Sequence, residues 1–501
     1  MICVTIGRGR HASLVEEWQA AAKAGAELVE LRIDCLRRDP DLKRIFKERP
    51  TPMIFTVRRS ADGGLWRGQE EKRQQLLREA IALGVDYVDL ESDVADKIRR
   101  FGKTKRIVSY HNLKNTPANL NEVAEQCATC DPDVVKVATA AHGLADAARV
   151  LRLGATFKKH PTVAIAMGEA GVFTRVLGAK FGAPFTYAGF NPERIFAAGM
   201  LNFASLKNDY GYDQINAETE VYAVIGDPIG HSLSPAVHNA GFRQFGLNKV
   251  MAPFQVAAGE LDVFFEDLEW LGVKGCSVTI PHKSDVVAQL DHQDELVEQT
   301  GSCNTVTRNE DGTWTGRNTD CQAAIDSLEA AMGKPEDSSE ASPLIDKQVL
   351  ILGAGGVARS LAFGVSRQGA SVTITNRNDP RATTLAEEVG CRTVNWSSRA
   401  STIADVIVNC TPVGMHPNVD DTPMPPAAFQ KPTTVVFDTI YHPEHTMLLK
   451  LARERGCVTL TGADMFIRQA ALQFNIYTGR EAPVELMKTV LKRKLGAIRD
   501  A

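Results

Sequence analysis

The sequence predicts an α/β protein in two parts: an N-terminal (β/α)8 TIM barrel, then a two-lobed α/β region that contains a Rossmann unit. Three observations lead there. The chain has 501 residues, more than one hydrophobic core organises, so two to four domains are expected. Its first part, roughly 210 residues, alternates short apolar strands with amphipathic helical stretches, the pattern of a parallel barrel. Further on, the apolar run Val349–Leu352 meets a glycine-rich turn that opens a helix, as in a βαβ unit.

Eight barrel strands are expected: Ile2–Ile6, Leu28–Ile33, Met53–Val57, Tyr87–Leu90, Arg106–Tyr110, Val134–Ala138, Val163–Met167 and Phe185–Ala188. Helical patterns such as Ser13–Ala24, Glu70–Leu83 and Leu120–Cys127 lie between them. The polar stretch Lys207–Thr219 reads as a short linker and sets the main boundary. Strands Val221–Ile225, Lys249–Phe254 and Lys274–Ile280 follow. Lys334–Lys347, rich in Pro, Ser and acids, reads as a surface loop or hinge. Strand Gln348–Leu352, the turn, a helix and strand Ser371–Asn376 complete the unit. The expected domains are 1–215, 220–325 (completed by C-terminal helices at about 463–495) and 326–462.

Bulk properties narrow the partners. Hydrophobic content of 44%, charged content of 24% and a net charge of -4 suit a globular protein. They give no reason to expect nucleic acid or an anionic membrane surface. No apolar run reaches the roughly 18 residues of a membrane span. A strand starts at Ile2, so no signal or transit segment is expected and the location reads as cytoplasmic. The ten cysteines are scattered, which fits a reducing compartment. Cys127 and Cys130 form one C-x-x-C, read as two cysteines on one helix face rather than a metal or redox pair. No metal and no obligate protein partner is expected; the partners are small-molecule substrates.

Chemistry on such a barrel gathers at the C-terminal ends of its strands. Glu30 and Arg32 close the second strand, Arg58 the third, Glu91 the fourth and His111 the fifth, while Arg175 follows the seventh. Lys136 lies inside the apolar run DVVKVAT. Burial there disfavours an ammonium and favours an amine able to attack a carbonyl. His111 on the adjacent strand could shuttle a proton at the neighbouring carbon, with Glu91 orienting it. Taken singly, each has a routine explanation: a buried Lys–Glu pair, a core histidine, a strand-end salt bridge. Arg32, Arg58 and Arg175 converging with Glu30 on one barrel mouth are better explained by a carboxylate substrate.

These residues resemble a known family. ELRID, FTVRRS…GG, DLE, SYHN, VVKVAT and TRVLGAKFGAPFTYA occur in the order and spacing of type I 3-dehydroquinate dehydratase, over about residues 1–215. The resemblance implies dehydration of 3-dehydroquinate to 3-dehydroshikimate through an imine on Lys136. His111 is then the acid/base and Glu91 its partner, with Glu30, Arg32, Arg58 and Arg175 binding substrate. One departure stands out. Where the family carries a Ser-Ala-Pro-Gly-Gln-like closing segment, this chain has Phe196-Ala197-Ala198-Gly199-Met200, which implies loss of a polar clamp.

In the second part, the turn Gly353-Ala354-Gly355-Gly356-Val357 lets backbone approach a pyrophosphate at a helix N-terminus. At the end of the next strand stand Asn376 and Arg377, with Arg381 close behind and no acid to hold a ribose hydroxyl. That favours a 2′-phosphate, hence NADP over NAD. Upstream, Ser232, Ser234, Lys283, Asn304 and Asp320 sit in GDPIGHSLSP, VTIPHK, GSCNT and GRNTD. A Lys and an Asp can relay the proton that accompanies hydride transfer to a ketone. Separately they read as helix caps and a surface cation.

Jointly these motifs, with NCTPVGM, FDTIYHPEHT and GADMFIRQAALQF, resemble shikimate dehydrogenase over about residues 220–490. The resemblance implies reduction of 3-dehydroshikimate to shikimate with NADPH. Lys283 and Asp320 become the catalytic pair, and Ser232, Ser234, Thr279, Asn304, Thr319, Tyr441 and Gln469 become substrate contacts. Gly353, Ala354, Gly355, Gly356, Val357, Asn376, Arg377 and Arg381 hold cofactor, and Thr411, Gly414, Met415 and Gly462 border the nicotinamide. Ser277 stands where many members have Asn. Two rivals remain: a non-enzymatic pathway repressor built from the same domains, and a quinate/shikimate dehydrogenase using NAD. The first predicts missing catalytic residues, yet Lys136, His111, Lys283 and Asp320 are all there. Ser232, Ser234 and Arg377 weigh against the second.

Overall fold

Alternating apolar strands and one-sided helices leave each element with a face to bury, and a parallel sheet wrapped by helices buries them all. The computed structural model describes residues 1–335, 340–429 and 431–499, the backbone alone for 497–499. Its contacts divide the chain into two units: Met1–Pro235 with Phe245–Val273, and Ala236–Gln244 with Lys274–Ala501.

In the first unit, eight strands run parallel: β1 Ile2–Ile6, β2 Leu28–Arg32, β3 Met53–Thr56, β4 Tyr87–Glu91, β5 Lys105–Asn112, β6 Val134–Ala140, β7 Thr162–Met167 and β8 Thr186–Gly189. Each lies within two residues of its expected span at either end. They pair in the order β7-β6-β5-β4-β3-β2-β1-β8, so the barrel is near-closed, with β7 and β8 unbonded to each other. Cys3, Leu28, Ile54, Ile107, Val134, Phe185 and Tyr187 fill one shared apolar core. The first helix, His11–Lys23, buries Leu14, Trp18 and Ala21, a spacing of four then three that keeps one face inward. Between β4 and β5 the crossover is only a 3-10 turn, Ala95–Lys97.

One expectation changes here. Lys207–Thr219 is not a bare linker: a helix covers Phe203–Asn208, and Tyr212 is buried at 1% exposure. Two further strands, β9 Glu220–Gly226 and β10 Lys249–Gln255, pair in parallel and fall inside the first unit with the helix Leu261–Leu271. The contact division therefore does not follow the expected 215–220 boundary. The reason is packing: Phe173 stacks on Phe254 at 4.5 Å, Arg152 bonds Asp267 at 2.8 Å, and the Arg152 guanidinium lies 4.7 Å from the Trp270 ring.

In the second unit, β11 Val273–Val278, β12 His292–Gln293, β13 Thr305–Arg308 and β14 Trp314–Arg317 lie in the order β11-β13-β14-β12. A second sheet contains β15 Gln348–Leu352, β16 Ser371–Thr375, β17 Arg392–Thr393, β18 Val406–Asn409, β19 Val435–Asp438 and β20 Val458–Leu460. It is parallel, in the order β17-β16-β15-β18-β19-β20, which makes β15 the switch point of a Rossmann arrangement. The expected loop Lys334–Lys347 lies in part outside the described residues. No described helix is long and apolar enough to cross a membrane.

Candidate active sites

Register and pleat bring the barrel residues together. Glu91 pairs with Ser109, and Ser109 with Lys136, so one row crosses β4, β5 and β6. Side chains two apart share a face, which puts Asp89 with Glu91, and His111 with Ser109. Lys136 is buried, its Nζ 3.0 Å from Asp89 Oδ2, 3.8 Å from Glu30 Oε1 and 4.1 Å from the centroid of Tyr187. The lysine therefore does not meet its desolvation alone, because two carboxylates face it.

Ion pairs surround this group. Arg58 reaches Asp89 at 2.6 Å and Glu91 at 2.8 Å, and donates to Ser109 Oγ at 3.1 Å. Arg73, fully buried on the helix Glu70–Ala82, donates to Glu91 Oε2 at 2.7 Å. Arg32 holds Asp34 with two bonds of 2.9 and 2.7 Å. Glu30 accepts from Thr5 and Thr56, both at 2.9 Å. The Asp89 carboxyl lies far below the usual carboxylate range: Arg58, then Lys136, more than offset the effect of burial.

Burial, reinforced by Arg58 and Lys136, holds the His111 pKa well below the ordinary value and so favours the uncharged ring. The expected Glu91–His111 partnership is corrected by the geometry. Glu91 spends both oxygens on Arg58 and Arg73, and the buried Nδ1 of His111 has no hydrogen-bond partner among the described residues.

Arg175, on the helix Val172–Leu177, is 1% exposed, and its Nε has no partner among the described residues. No described carboxylate pairs with it, and burial alone lowers its pKa to about 10. Arg175, Lys136, His111, Glu30, Arg32 and Arg58 all line one cavity of about 290 Å³. Phe196, Ala197, Ala198 and Met200 also line it. The Phe196 ring stands 5.4 Å from the Arg32 guanidinium, and Gly168 N–H donates to Ala198 at 3.0 Å. Gly199 has φ of 69°, and a Cβ there would meet the Gly168 oxygen at 2.2 Å, so only glycine seats this loop. Sequence reasoning missed Asp89, Arg73 and Ser109.

In the second unit, Lys283 Nζ and Asp320 Oδ2 lie 2.6 Å apart. Asn304 donates to Thr319 Oγ1 at 3.0 Å and accepts from Thr319 N–H at 2.8 Å. Gln469 is buried on the helix Gly462–Thr478 and bonds the Phe466 carbonyl at 2.9 Å. One turn on, the missed Gln473 donates to Ser277 at 3.3 Å, to the Asn304 carbonyl at 3.1 Å and to Thr305 at 3.0 Å. Ser277 is thus tied in by its hydroxyl. Thr279 is partly buried, and the Tyr441 ring packs 5.5 Å from Phe466. Ser232 and Ser234 lie in the first unit, where Ser232 Oγ accepts from Ser234 N–H at 3.4 Å at the head of helix Ser234–Gln244.

The glycine turn fits a dinucleotide. Gly353 has φ of 114°, and a Cβ there would stand 2.9 Å from the Cys410 carbonyl. Around Gly355 and Gly356 a Cβ would meet nothing within 4 Å. The helix Gly356–Arg367 has no side-chain cap, so its first N–H groups remain for an anion. Ala354 and Val357 are partly buried beside it. Asn376 bonds the Asn378 carbonyl at 3.1 Å, while Arg377 and Arg381 stand exposed with no side-chain partner among the described residues. Across the sheet switch, Thr411 bonds Asn409 at 2.6 Å, Gly414 has φ of 97°, and Met415 is exposed. Gly462 opens its helix against Ile440, where a Cβ would stand 2.5 Å from the carbonyl carbon. Asp438, also missed, bonds Thr446 at 2.6 Å and Asn409 at 3.0 Å; burial raises its carboxyl to about 6.

These features define a barrel with a lysine-centred site, joined to an α/β dehydrogenase. The profile described as Type I 3-dehydroquinase matches residues 2–217. The Shikimate dehydrogenase substrate binding domain matches 224–306, and the Shikimate 5'-dehydrogenase C-terminal domain matches 462–492. Residues 348–431 match the profile of NADP oxidoreductase coenzyme F420-dependent. A bifunctional 3-dehydroquinate dehydratase/shikimate dehydrogenase of Arabidopsis thaliana, described as chloroplastic, is 36% identical over 98% of this chain and 84% of its own. A shikimate dehydrogenase (NADP(+)) of Moorella thermoacetica is 39% identical over 57% of this chain and 96% of its own. The crystal structure of a shikimate dehydrogenase in complex with NADP+ superposes with a TM-score of 0.52, at 34% identity, covering 56% of this chain and 97% of that one. The chain belongs to the family of bifunctional 3-dehydroquinate dehydratase/shikimate dehydrogenases.

Proposed function

We propose that this chain catalyses two consecutive reactions: dehydration of 3-dehydroquinate to 3-dehydroshikimate in the barrel, then NADPH-dependent reduction of that product to shikimate. One observation carries the reading. A buried lysine and a buried arginine without a counter-ion line the same small cavity. Arg175 suits the substrate carboxylate, which would meet a buried cavity guanidinium that no described carboxylate pairs with. Lys136 suits the ketone, with which it forms an imine, and neutral His111 suits proton removal from the adjacent carbon. Glu30, Arg32 and Arg58 would bind the ring hydroxyls, with Glu91 acting through Arg58 rather than through His111.

For the reduction, Lys283 and Asp320 would hold and deliver the proton to the carbonyl oxygen. Ser232, Ser234, Thr279, Asn304, Thr319, Tyr441 and Gln469 would hold the substrate. Bound NADPH supplies the hydride. The turn Gly353–Val357 would take its pyrophosphate, Asn376, Arg377 and Arg381 its 2′-phosphate, and Thr411, Gly414, Met415 and Gly462 its nicotinamide. Domain limits of 1–215, 220–325 with about 463–495, and 326–462 remain our assignment. The partners are small molecules. A reducing, cytoplasmic setting is supported by all ten cysteines being unpaired.

Kinetics with shikimate and quinate, each with NADP and NAD, test the second half. Shikimate with NADP should give the highest kcat/KM; a preference for quinate with NAD would overturn the assignment of Arg377.

A further inference from the structure

The carboxylates around Lys136 are not equivalent. Asp34 is committed to Arg32 and to the N–H of Leu65. Glu91 is committed to Arg58 and Arg73. Glu30 is committed to two threonine hydroxyls and stays 3.8 Å from the lysine. Among the described residues, Asp89 alone places a carboxylate oxygen within hydrogen-bond distance of Lys136 Nζ, at 3.0 Å. Its other oxygen accepts from the Ser109 hydroxyl at 2.6 Å, and Arg58, just after β3, braces the lysine-facing Oδ2, also at 2.6 Å. The lysine nitrogen is therefore held from one direction by an anion that cannot turn away.

We propose that Asp89 is the counter-ion of the protonated imine formed on Lys136, and so the positioning residue for the dehydration. The proposal rests on the dehydratase reading above. The amine nitrogen bonds to the ketone carbon, and the ketone oxygen leaves as water. The iminium nitrogen keeps one proton, donated to Asp89 Oδ2. With that charge held in place, the electron pair of the adjacent C–H bond flows toward nitrogen while His111 takes the proton. The C–O bond one carbon further then breaks, and the hydroxyl leaves as water with the proton that His111 returns. Water hydrolyses the imine and frees Lys136, so the net change is loss of one water.

Other charged or titratable groups share the surroundings: Cys3 on β1, Glu30 and Arg32 on β2, Arg58 after β3, Glu91 on β4, His111 on β5, Tyr187 on β8 and Arg175 on the cavity wall. None of the carboxylates among them lies closer to Lys136 than Asp89.

The test uses the full chain with Asp89→Asn and Ser109→Ala. In Asp89→Asn the dehydratase kcat should fall about 100-fold or more, with KM changed by less than about threefold. Borohydride trapping with 3-dehydroquinate should slow, and the acid limb of its rate should move to lower pH, because a neutral amide no longer favours the cation. Dehydrogenase turnover of the same preparation should be unchanged, which reports intact folding. Ser109→Ala keeps the charge but frees Oδ1, and should lower kcat about three- to tenfold in the same direction. Asp89→Asn with near-normal kcat and an unmoved pH profile overturns the proposal, as does an effect confined to KM. If Asp89→Asn loses both activities, Ser109→Ala decides, and a normal kcat and profile there overturns it. Absence of a trapped adduct in the unsubstituted chain would instead sink the dehydratase reading itself.

Discussion

In the barrel, Lys136, Arg32, Arg58 and Arg73 are each met by a carboxylate; in the dehydrogenase, Lys283 has Asp320, but Arg377 and Arg381 face solvent unmatched. The first arrangement is assembled before any ligand arrives, and among the described residues it leaves Arg175 in the cavity without a carboxylate. The second keeps its Gly355–Gly356 ground open, and on the proposed reading its arginines would find their partner in the cofactor phosphate. Burial makes the difference. Inside the barrel an unmatched ion is expensive, so folding itself enforces the network. At an exposed turn an unmatched arginine costs almost nothing and can wait. Substitutions in the first site should therefore couple activity to stability, and those at the cofactor turn should not.

The sharpest way to break the comparison is to silence each site alone. Lys136→Ala should lower dehydratase turnover at least about a thousandfold and leave the dehydrogenase rate unchanged. Lys283→Ala should lower dehydrogenase turnover by about 10²- to 10⁴-fold and spare the dehydratase. Separate assays on each variant check both, and cross-inhibition would contradict two independent sites.

Next in size is Arg175→Met. Loss of a charged hydrogen bond to the substrate carboxylate should raise the dehydratase KM about 10- to 100-fold. The same change removes a buried charge without a partner, so the melting temperature should rise rather than fall. A fall would mean that Arg175 is satisfied by the protein.

Arg377→Ala with Arg381→Ala should raise the KM for NADP about 10- to 100-fold, with NAD kinetics and thermal stability unchanged. Equal losses with NADP and NAD would remove the 2′-phosphate role.

The smallest effect lies in the core. His238 is fully buried, and burial lowers its pKa to about 4. The unfolded chain binds its proton at a higher pH, so stability falls as pH drops from about 6.5 toward 4. The loss is about 2 kcal/mol near pH 5. His238→Phe should flatten that part of a pH–melting curve while leaving turnover near neutrality intact; an unchanged curve would show that His238 does not set it.

Much of this was legible in the residues. The eight strands announced themselves because parallel strands buried on both faces read as apolar runs. Glu30, Arg32, His111 and Lys136 stood out as charges interrupting such runs. Asp89 was legible in principle, since it lies two residues before Glu91 on the same strand face. The orientation of Glu91 was not, because Arg73 comes from a helix whose pattern looks like surface. Yet Arg73 heads the buried stripe that continues through Leu76, Leu77, Ala80 and Ile81, an arginine at a core position. The stretch Lys207–Thr219 misled through its composition: Tyr212 anchors it, and one buried aromatic outweighs several polar neighbours. The closing loop reads directly, since Phe196 and Met200 are apolar in sequence and line the cavity in the fold.

The central claim is that one chain performs both steps in order. Purified protein mixed with 3-dehydroquinate and NADPH should consume NADPH and form shikimate. Lys136→Ala should do neither with 3-dehydroquinate, yet reduce added 3-dehydroshikimate at the normal rate. NADPH consumption by Lys136→Ala with 3-dehydroquinate, or none by the unsubstituted chain, would contradict the account.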